Sequence, residues 1–225
     1  MSAKHDQLIA LTRKRRSCRW AGYKCIGDYH EGKYECDFVS PYTRSANNVD
    51  SELMVLLQDW ACDDVLSGTF LEVRCTLGHD PKRWTNINLK NLLRKYLDLE
   101  LAAVYATNVF PFVKLGRMNA GIRRGDLVAA AEQFALPQIN IVAPCVAVCL
   151  GKAGFNAVAV AAGRPPAKTL DDAIASPFHF GITQVWCQAH TGRQGTNFRN
   201  RGEVDRVSKD WSRMAAEFLA QGRKA

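Results

Sequence analysis

The sequence predicts an α/β fold: a three-layer α/β/α sandwich around a central, mainly parallel sheet of four strands. Three observations predict it. Four short runs, Leu53–Gln58, Leu101–Thr107, Val142–Leu150 and Thr183–Gln188, are largely apolar on both faces, as strands are when helices cover both sides of a sheet. Between them lie segments whose apolar residues recur at helical spacing. The runs stop at residues with polar or conformational work to do, and ligands of open parallel sheets bind outside those carboxyl ends.

The elements follow in chain order. Residues 4–16 set Leu8, Ile9 and Leu11 among many charges and predict a short helix with a basic end, Arg13-Lys14-Arg15-Arg16. Residues 17–50 hold Gly22, Gly27, Gly32, Pro41, Asn47 and Asn48 with little periodicity. An irregular N-terminal extension, about residues 1–50, is therefore expected to wrap the core. After the first strand, Asp63–Arg83 contains Gly68, Gly78 and Pro81 and reads as loops over the strand ends. Asn88–Leu99 is helical, with Leu89, Leu92, Leu93, Tyr96 and Leu97 on one face and Asn86 or Asn88 available as a cap.

The second strand ends at Asn108, and a basic loop with Pro111, Lys114 and Arg117 leads to a helix near Asp126–Phe134. The third strand is followed by Gly151-Lys152, which opens a helix to about Ala161. Pro165, Pro166 and Pro177 mark loops, and the fourth strand reaches His190. A last helix, roughly Glu203–Ala220, carries a stripe of Val204, Val207, Trp211, Met214, Phe218 and Leu219. There is no internal repeat.

At 225 residues the chain is read as one domain over 1–225, long enough to bury a full core. Its 47% hydrophobic and 23% charged residues are ordinary for a globular protein. No window approaches the ~20 apolar residues of a membrane span, so no membrane partner is expected. Residues 1–16 lack the apolar core of a signal peptide, and a cytoplasmic location is expected. The net charge of +8 favours a polyanionic partner, against the plainer reading of a solvated basic surface. Of eight cysteines, Cys145, Cys149 and Cys187 sit in apolar runs. Cys18, Cys25 and Cys36, with His30 nearby, form no paired Cys-x-x-Cys; the cysteines are read as reduced and structural, with no metal or cofactor.

The strand ends carry Gln58-Asp59, Asn108, Gly151-Lys152 and His190. Each has a plainer role: Asp59 as a helix cap, Asn108 as a turn former, His190 as a surface histidine. On one rim they suit recognition and release of a nucleobase. An amide can pair with the N–H and C=O edge of uracil and mismatch cytosine. A carboxylate can position water and stabilise an oxocarbenium-like sugar, while an imidazole hydrogen-bonds the departing base. No Gly-x-Ser-x-Gly elbow supports a serine hydrolase, and Gly151-Lys152 lacks the upstream glycines of a P-loop.

Over about residues 50–200 the motifs resemble the uracil-DNA glycosylase superfamily in order and spacing. LMVLLQDWAC resembles its first motif, an apolar strand running into Gly-Gln-Asp-Pro-Tyr-His; VLSGTF resembles its Gly-x-Pro-Phe segment. YATNVFPFVK resembles the strand bearing the base-reading asparagine, PCVAVCLGKAGFNAV a strand–Gly–helix, and QAHTGRQGTNFR the His-Pro-Ser motif. The resemblance implies a monofunctional, monomeric DNA glycosylase without cofactor, most simply acting on uracil in base excision repair. Asp59 would activate water, and His190 would stabilise the leaving base. Gln58, Phe70 and Asn108 would bind the base, Phe70 by stacking and Asn108 by reading its edge. Lys114, Arg117, Lys152, Thr191, Arg193, Gln194 and Arg199, with Arg201, would face DNA. Three departures stand out. Ala61 replaces the tyrosine that excludes the thymine methyl, Thr191-Gly192 replaces Pro-Ser, and polar Arg193 or Gln194 replaces the apolar wedge. Other classes remain in play: a non-catalytic DNA- or nucleotide-binding module, and a small-molecule α/β hydrolase.

Overall fold

A computed structural model describes residues 3–202 and 204–222. In chain order its strands are β1 (Tyr23–Lys24), β2 (Leu53–Asp59), β3 (Tyr105–Phe110), β4 (Val113–Lys114), β5 (Val146–Leu150), β6 (Phe178–Phe180) and β7 (Thr183–Gln188). Its α-helices are α1 (Ala3–Ser17), α2 (Asp63–Leu66), α3 (Glu72–Leu77), α4 (Trp84–Leu97), α5 (Arg124–Ala130), α6 (Leu136–Val142), α7 (Lys152–Ala161), α8 (Leu170–Ala175), α9 (Arg193–Arg199) and α10 (Arg206–Gly222). A π-turn, Ala131–Ala135, joins α5 to α6.

Strand β2 has a reason to be central. Its five leading residues are all buried, and they alternate between two apolar clusters. Met54 and Leu56 join Leu127 of α5, Ile139 of α6 and Phe155 and Val158 of α7. Leu53, Val55 and Leu57 join Leu89 and Leu93 of α4 and Trp211 and Met214 of α10. A strand buried on both sides cannot alternate apolar with polar, and β2 reads accordingly as a continuous apolar run.

The main sheet has five strands in the order β3-β2-β5-β7-β6, not four. The four expected strands are parallel neighbours, and β6 adds an antiparallel edge through a hairpin at Gly181-Ile182. Chain order reverses about β2: β3 lies on one side of it and β5 on the other. A reversal of this kind opens a crevice at the strands' carboxyl ends, which is where Gln58, Asp59 and Gly151 stand.

Several boundaries differ from expectation. The second strand begins at Tyr105, because Leu101–Ala103 forms a 3-10 turn, and it continues to Phe110, so Asn108 lies inside the strand and not at its end. The third begins at Val146, because Leu136–Val142 continues the preceding helix until Ala143 turns left-handed. Short helices α2, α3 and α8 occupy segments read as loops. The expected start of the last helix, Glu203, lies outside the described residues; the helix begins at Arg206, so Val204 precedes it and is exposed, and it leaves Leu219 exposed while burying Ala215.

The N-terminal 50 residues are built into the body. Arg15 of α1 is buried and donates to Glu35 and to the carbonyls of Cys36 and Phe38. Strand β1 pairs antiparallel with β4. No helix among the described residues is long and apolar enough to cross a membrane.

Two substitutions test the packing. Leu56→Ala, at a position with no solvent exposure, is expected to cost about 2–5 kcal/mol in urea unfolding. Leu219→Ala, at a residue 46% exposed, is expected to change stability by about 0.5 kcal/mol or less.

Candidate functional site

The crevice at the end of β2 is a cavity of about 640 Å³. Its walls come from the β2 end (Leu57 to Ala61), the loop before α4 (His79, Asp80, Arg83), Lys114, and the turn after β7 (His190, Gly192, Arg193, Gln194). A second cavity of similar volume shares His190 and Gln194 and is lined further by Gly151, Lys152, Phe198 and Arg201.

Asp59 sits on the floor of the first cavity with its side chain almost wholly out of water. Its Oδ1 accepts from Gln58 Nε2 at 3.0 Å. Its Oδ2 lies 3.0 Å from Lys114 Nζ, and the lysine side chain is just as deeply buried. Local backbone structure puts the ammonium there. Lys114 ends the two-residue strand β4, paired on one side with β1 and bridged on the other to Cys62. Lys114 Nζ also donates to the Met118 carbonyl at 2.7 Å.

His190 projects from a tight turn at the end of β7. Its Nδ1 accepts the Gly192 backbone N–H at 3.0 Å. A ring nitrogen that accepts carries no proton, so the neutral ring holds its proton on Nε2. The ring is open to water at the mouth of the cleft, yet protein surrounds it on the other sides. That desolvation pushes its pKa below the ordinary imidazole value; the charge of Asp59 raises it and that of Lys114 lowers it. The neutral Nε2–H form is thereby favoured.

Glycines make the turn possible. A Cβ on Gly195 would stand 2.2 Å from the His190 carbonyl oxygen, and one on Gly192 would stand 2.9 Å from Nδ1. Gly151 meets the same turn, with an added Cβ falling 3.7 Å from that of His190. Its N–H donates to the Gln188 carbonyl at 2.8 Å.

The structure brings together Gln58, Asp59, Lys114, Arg117, His190, Arg193 and Gln194. It places the remaining expected residues elsewhere. Phe70 does not line the cleft; it packs 5.2 Å from Tyr34 and 5.3 Å from His30, ring centre to ring centre. The aromatic rings of the cleft are Trp60, Tyr42 and His79, the last two stacked 5.2 Å apart. Asn108 is fully buried on the sheet face it shares with Leu57; its Oδ1 accepts from Ser40 Oγ, and its Nδ2 has no partner. It stands behind the cleft wall because β3 runs on past it to Phe110.

Among the expected DNA-facing residues, Lys114 is buried against Asp59. Thr191 is buried and its hydroxyl donates to the Thr85 carbonyl. Arg199 is paired with Asp210 and Asp171, which hold its pKa well above the ordinary guanidinium range. Lys152 lines the second cavity and donates to the Lys168 carbonyl. Arg117, Arg193 and Gln194 are exposed on the rim.

Other residues of the site gave no motif to read. Trp84 is 52% exposed with the Arg193 guanidinium 4.9 Å over its ring, and Phe198 is 53% exposed with Arg201 4.2 Å over its own. A tryptophan flanked by Lys82 and Arg83 in a polar segment was the available sign. Trp60 anchors the loop before α4 by donating from Nε1 to the Gly78 carbonyl at 2.7 Å. Ala61 is buried on the cleft wall. Among the described residues, no three His, Cys, Asp or Glu side chains are grouped to hold a metal ion, and all eight cysteines are free.

No protein-family model matches the chain, and no curated protein matches it significantly.

Proposed function

We propose that this chain is a monofunctional DNA glycosylase that draws a damaged nucleotide, most simply a deoxyuridine, into the cleft and hydrolyses its N-glycosidic bond. One observation carries the reading: a neutral imidazole, its proton directed to Nε2, shares a cleft with a nearly dry carboxylate. The proposal keeps the three-layer sandwich, a single domain acting as a monomer, and DNA as partner.

In the proposed reaction the glycosidic electron pair leaves with the base, and the His190 Nε2–H donates to the base oxygen where negative charge grows. The sugar becomes oxocarbenium-like, and the fixed charge of Asp59 stabilises it and orients water toward the sugar carbon. Water supplies the new C–O bond and releases a proton. Lys114 holds the carboxylate in place. Gln58, whose Nε2 donates to Asp59, is the amide joined directly to the carboxylate. Base stacking falls to the cleft rings Trp60, Tyr42 or His79 in place of Phe70. Arg117, Arg193 and Arg201, with Trp84 and Phe198 exposed beside them, suit a strand of phosphates and unstacked bases.

A second reading has an observation in its favour. The Lys114 ammonium stands 3.0 Å from Asp59 Oδ2, so the carboxylate already has an ion-pair partner in the protein. A non-catalytic DNA- or nucleotide-binding module would keep such a pair. The two readings part in an excision assay on oligonucleotides carrying uracil, hypoxanthine or xanthine: the proposal requires release of at least one base, whereas salt-sensitive binding without release supports the module.

Four results are expected. Asp59→Asn lowers single-turnover excision by roughly 10²–10³-fold while oligonucleotide affinity holds; an unchanged rate removes Asp59 from the mechanism. Gly195→Ala displaces the His190 turn, so excision falls with far-ultraviolet circular dichroism unchanged. In the pH profile, protonating His190 at Nδ1 ends its acceptance of the Gly192 N–H and displaces the ring that carries Nε2–H, so the rate is steady above the ordinary imidazole value of 6.5 and declines only below it. Lys114→Gln moves that decline to higher pH, because the lysine charge helps to keep the ring neutral.

A further inference from the structure

The wall of the cleft formed by α3 and the loop before α4 holds charge that the proposed chemistry does not use. Arg74 of α3 is only 7% exposed, yet it makes no hydrogen bond or ion pair among the described residues, and its Nη1 is sealed from water without a partner. Arg83 lines the same wall, with one loose ion pair, 3.8 Å to Asp80. His79 stands between them in sequence, buried, with Nδ1 held by the Leu77 carbonyl and Ser45 Oγ at 3.0 Å each and Nε2 unpartnered. The Leu77 oxygen can only accept, so Nδ1 carries the proton and Nε2 is a bare acceptor in the neutral ring.

An uncompensated buried guanidinium is costly, and buried charges are ordinarily paired. The loop is also firmly built around this wall. Gly78 has a φ of +71° and packs so closely that a Cβ would fall 1.8 Å from the Pro41 carbonyl oxygen. The Trp60 indole fixes the Gly78 carbonyl, and Tyr42 stacks on His79. The guanidinium thus has no hydrogen bond or ion pair among the described residues, the Asp80 carboxylate of the same wall acting on it only at longer range, and it lies in the wall of a cavity large enough for a nucleotide.

We propose that Arg74 and Arg83 form a phosphate subsite, which takes the ester phosphate of the nucleotide whose sugar and base lie against Asp59 and His190. Planar guanidinium groups match phosphate oxygens in bidentate geometry, and a desolvated charge-assisted contact is strong. The subsite itself stands on the unpaired arginine; its placement beside a nucleoside rests on the glycosylase reading. Two sources share the chemistry, a terminal monoester on a free nucleotide and a diester within a strand.

The test uses the whole chain and Arg74→Met, a swap that removes an unpaired buried charge and keeps an apolar stem, so that the free protein remains folded. Inorganic phosphate is expected to raise the thermal midpoint of the unmodified protein and leave that of R74M unmoved. By calorimetry, dUMP is expected to bind about tenfold or more tightly than deoxyuridine. That ratio should collapse toward one in R74M and persist in Asp59→Asn. Equal affinity for dUMP and deoxyuridine, or a ratio that survives R74M, overturns the subsite and leaves the nucleobase reading standing. A phosphate effect lost in R74M, with no binding of any nucleoside, does the reverse. With the subsite present, dUMP methyl ester binding like dUMP assigns it to strand phosphates, and rejection of the ester assigns it to free nucleotides.

Discussion

The arrangement depends on one ion pair, Asp59 with Lys114, formed almost out of water where the order of strands reverses. Neither charge is tolerable there alone: breaking a buried pair by removing one partner typically costs about 3–5 kcal/mol. Much of the surrounding structure serves to bring the two together. The apolar run of β2 delivers the carboxylate, and the pairing of β1 with β4 and the bridge to Cys62 hold the backbone that carries the ammonium. The N-terminal segment is therefore part of the site. It contributes β1, and through Ser40 and Tyr42 it also reaches Asn108 and the cleft wall.

His190 is controlled by backbone and not by another side chain. A histidine oriented by a carboxylate on Nδ1 is easily made cationic, whereas one that accepts from a peptide N–H is kept neutral with its proton outward. The glycines at 192 and 195 make that acceptance sterically possible. Asp59 and Lys114 act on the ring in opposite directions, so the lysine offsets part of the pull of the carboxylate. A cleft built this way can face an anion developing in the substrate without carrying a full positive charge at the histidine.

The sheet was legible because burial on both faces leaves a continuous apolar run, and Thr183–Gln188 was read to the residue. Boundaries failed where one apolar run spans two elements. Leu101–Thr107 crosses a 3-10 turn into β3, and Val142–Leu150 begins at the last residue of α6. At the other end of β3, Val109 and Phe110 continue the strand past Asn108, which is why its amide lies behind the wall. Asp59 and His190 were legible because polar residues that end apolar strands are conspicuous. Lys114, Thr191 and Arg199 were grouped by charge or motif position, but partners distant in the chain decide their environment: Asp59, Thr85, and Asp171 with Asp210. Arg74 and His79 had no local signal, since burial of a polar residue in a short amphipathic segment is a property of the tertiary fold.

The central claim is chemical: at neutral pH His190 is an uncharged donor through Nε2. Nitrogen-15 chemical shifts of the imidazole measure this directly, with His190→Gln supplying the assignment. The account predicts a neutral ring at pH 7, with Nδ1 in the range of an unprotonated, hydrogen-bond-accepting nitrogen and Nε2 in the range of a protonated one. A cationic ring, or a proton on Nδ1, would contradict it.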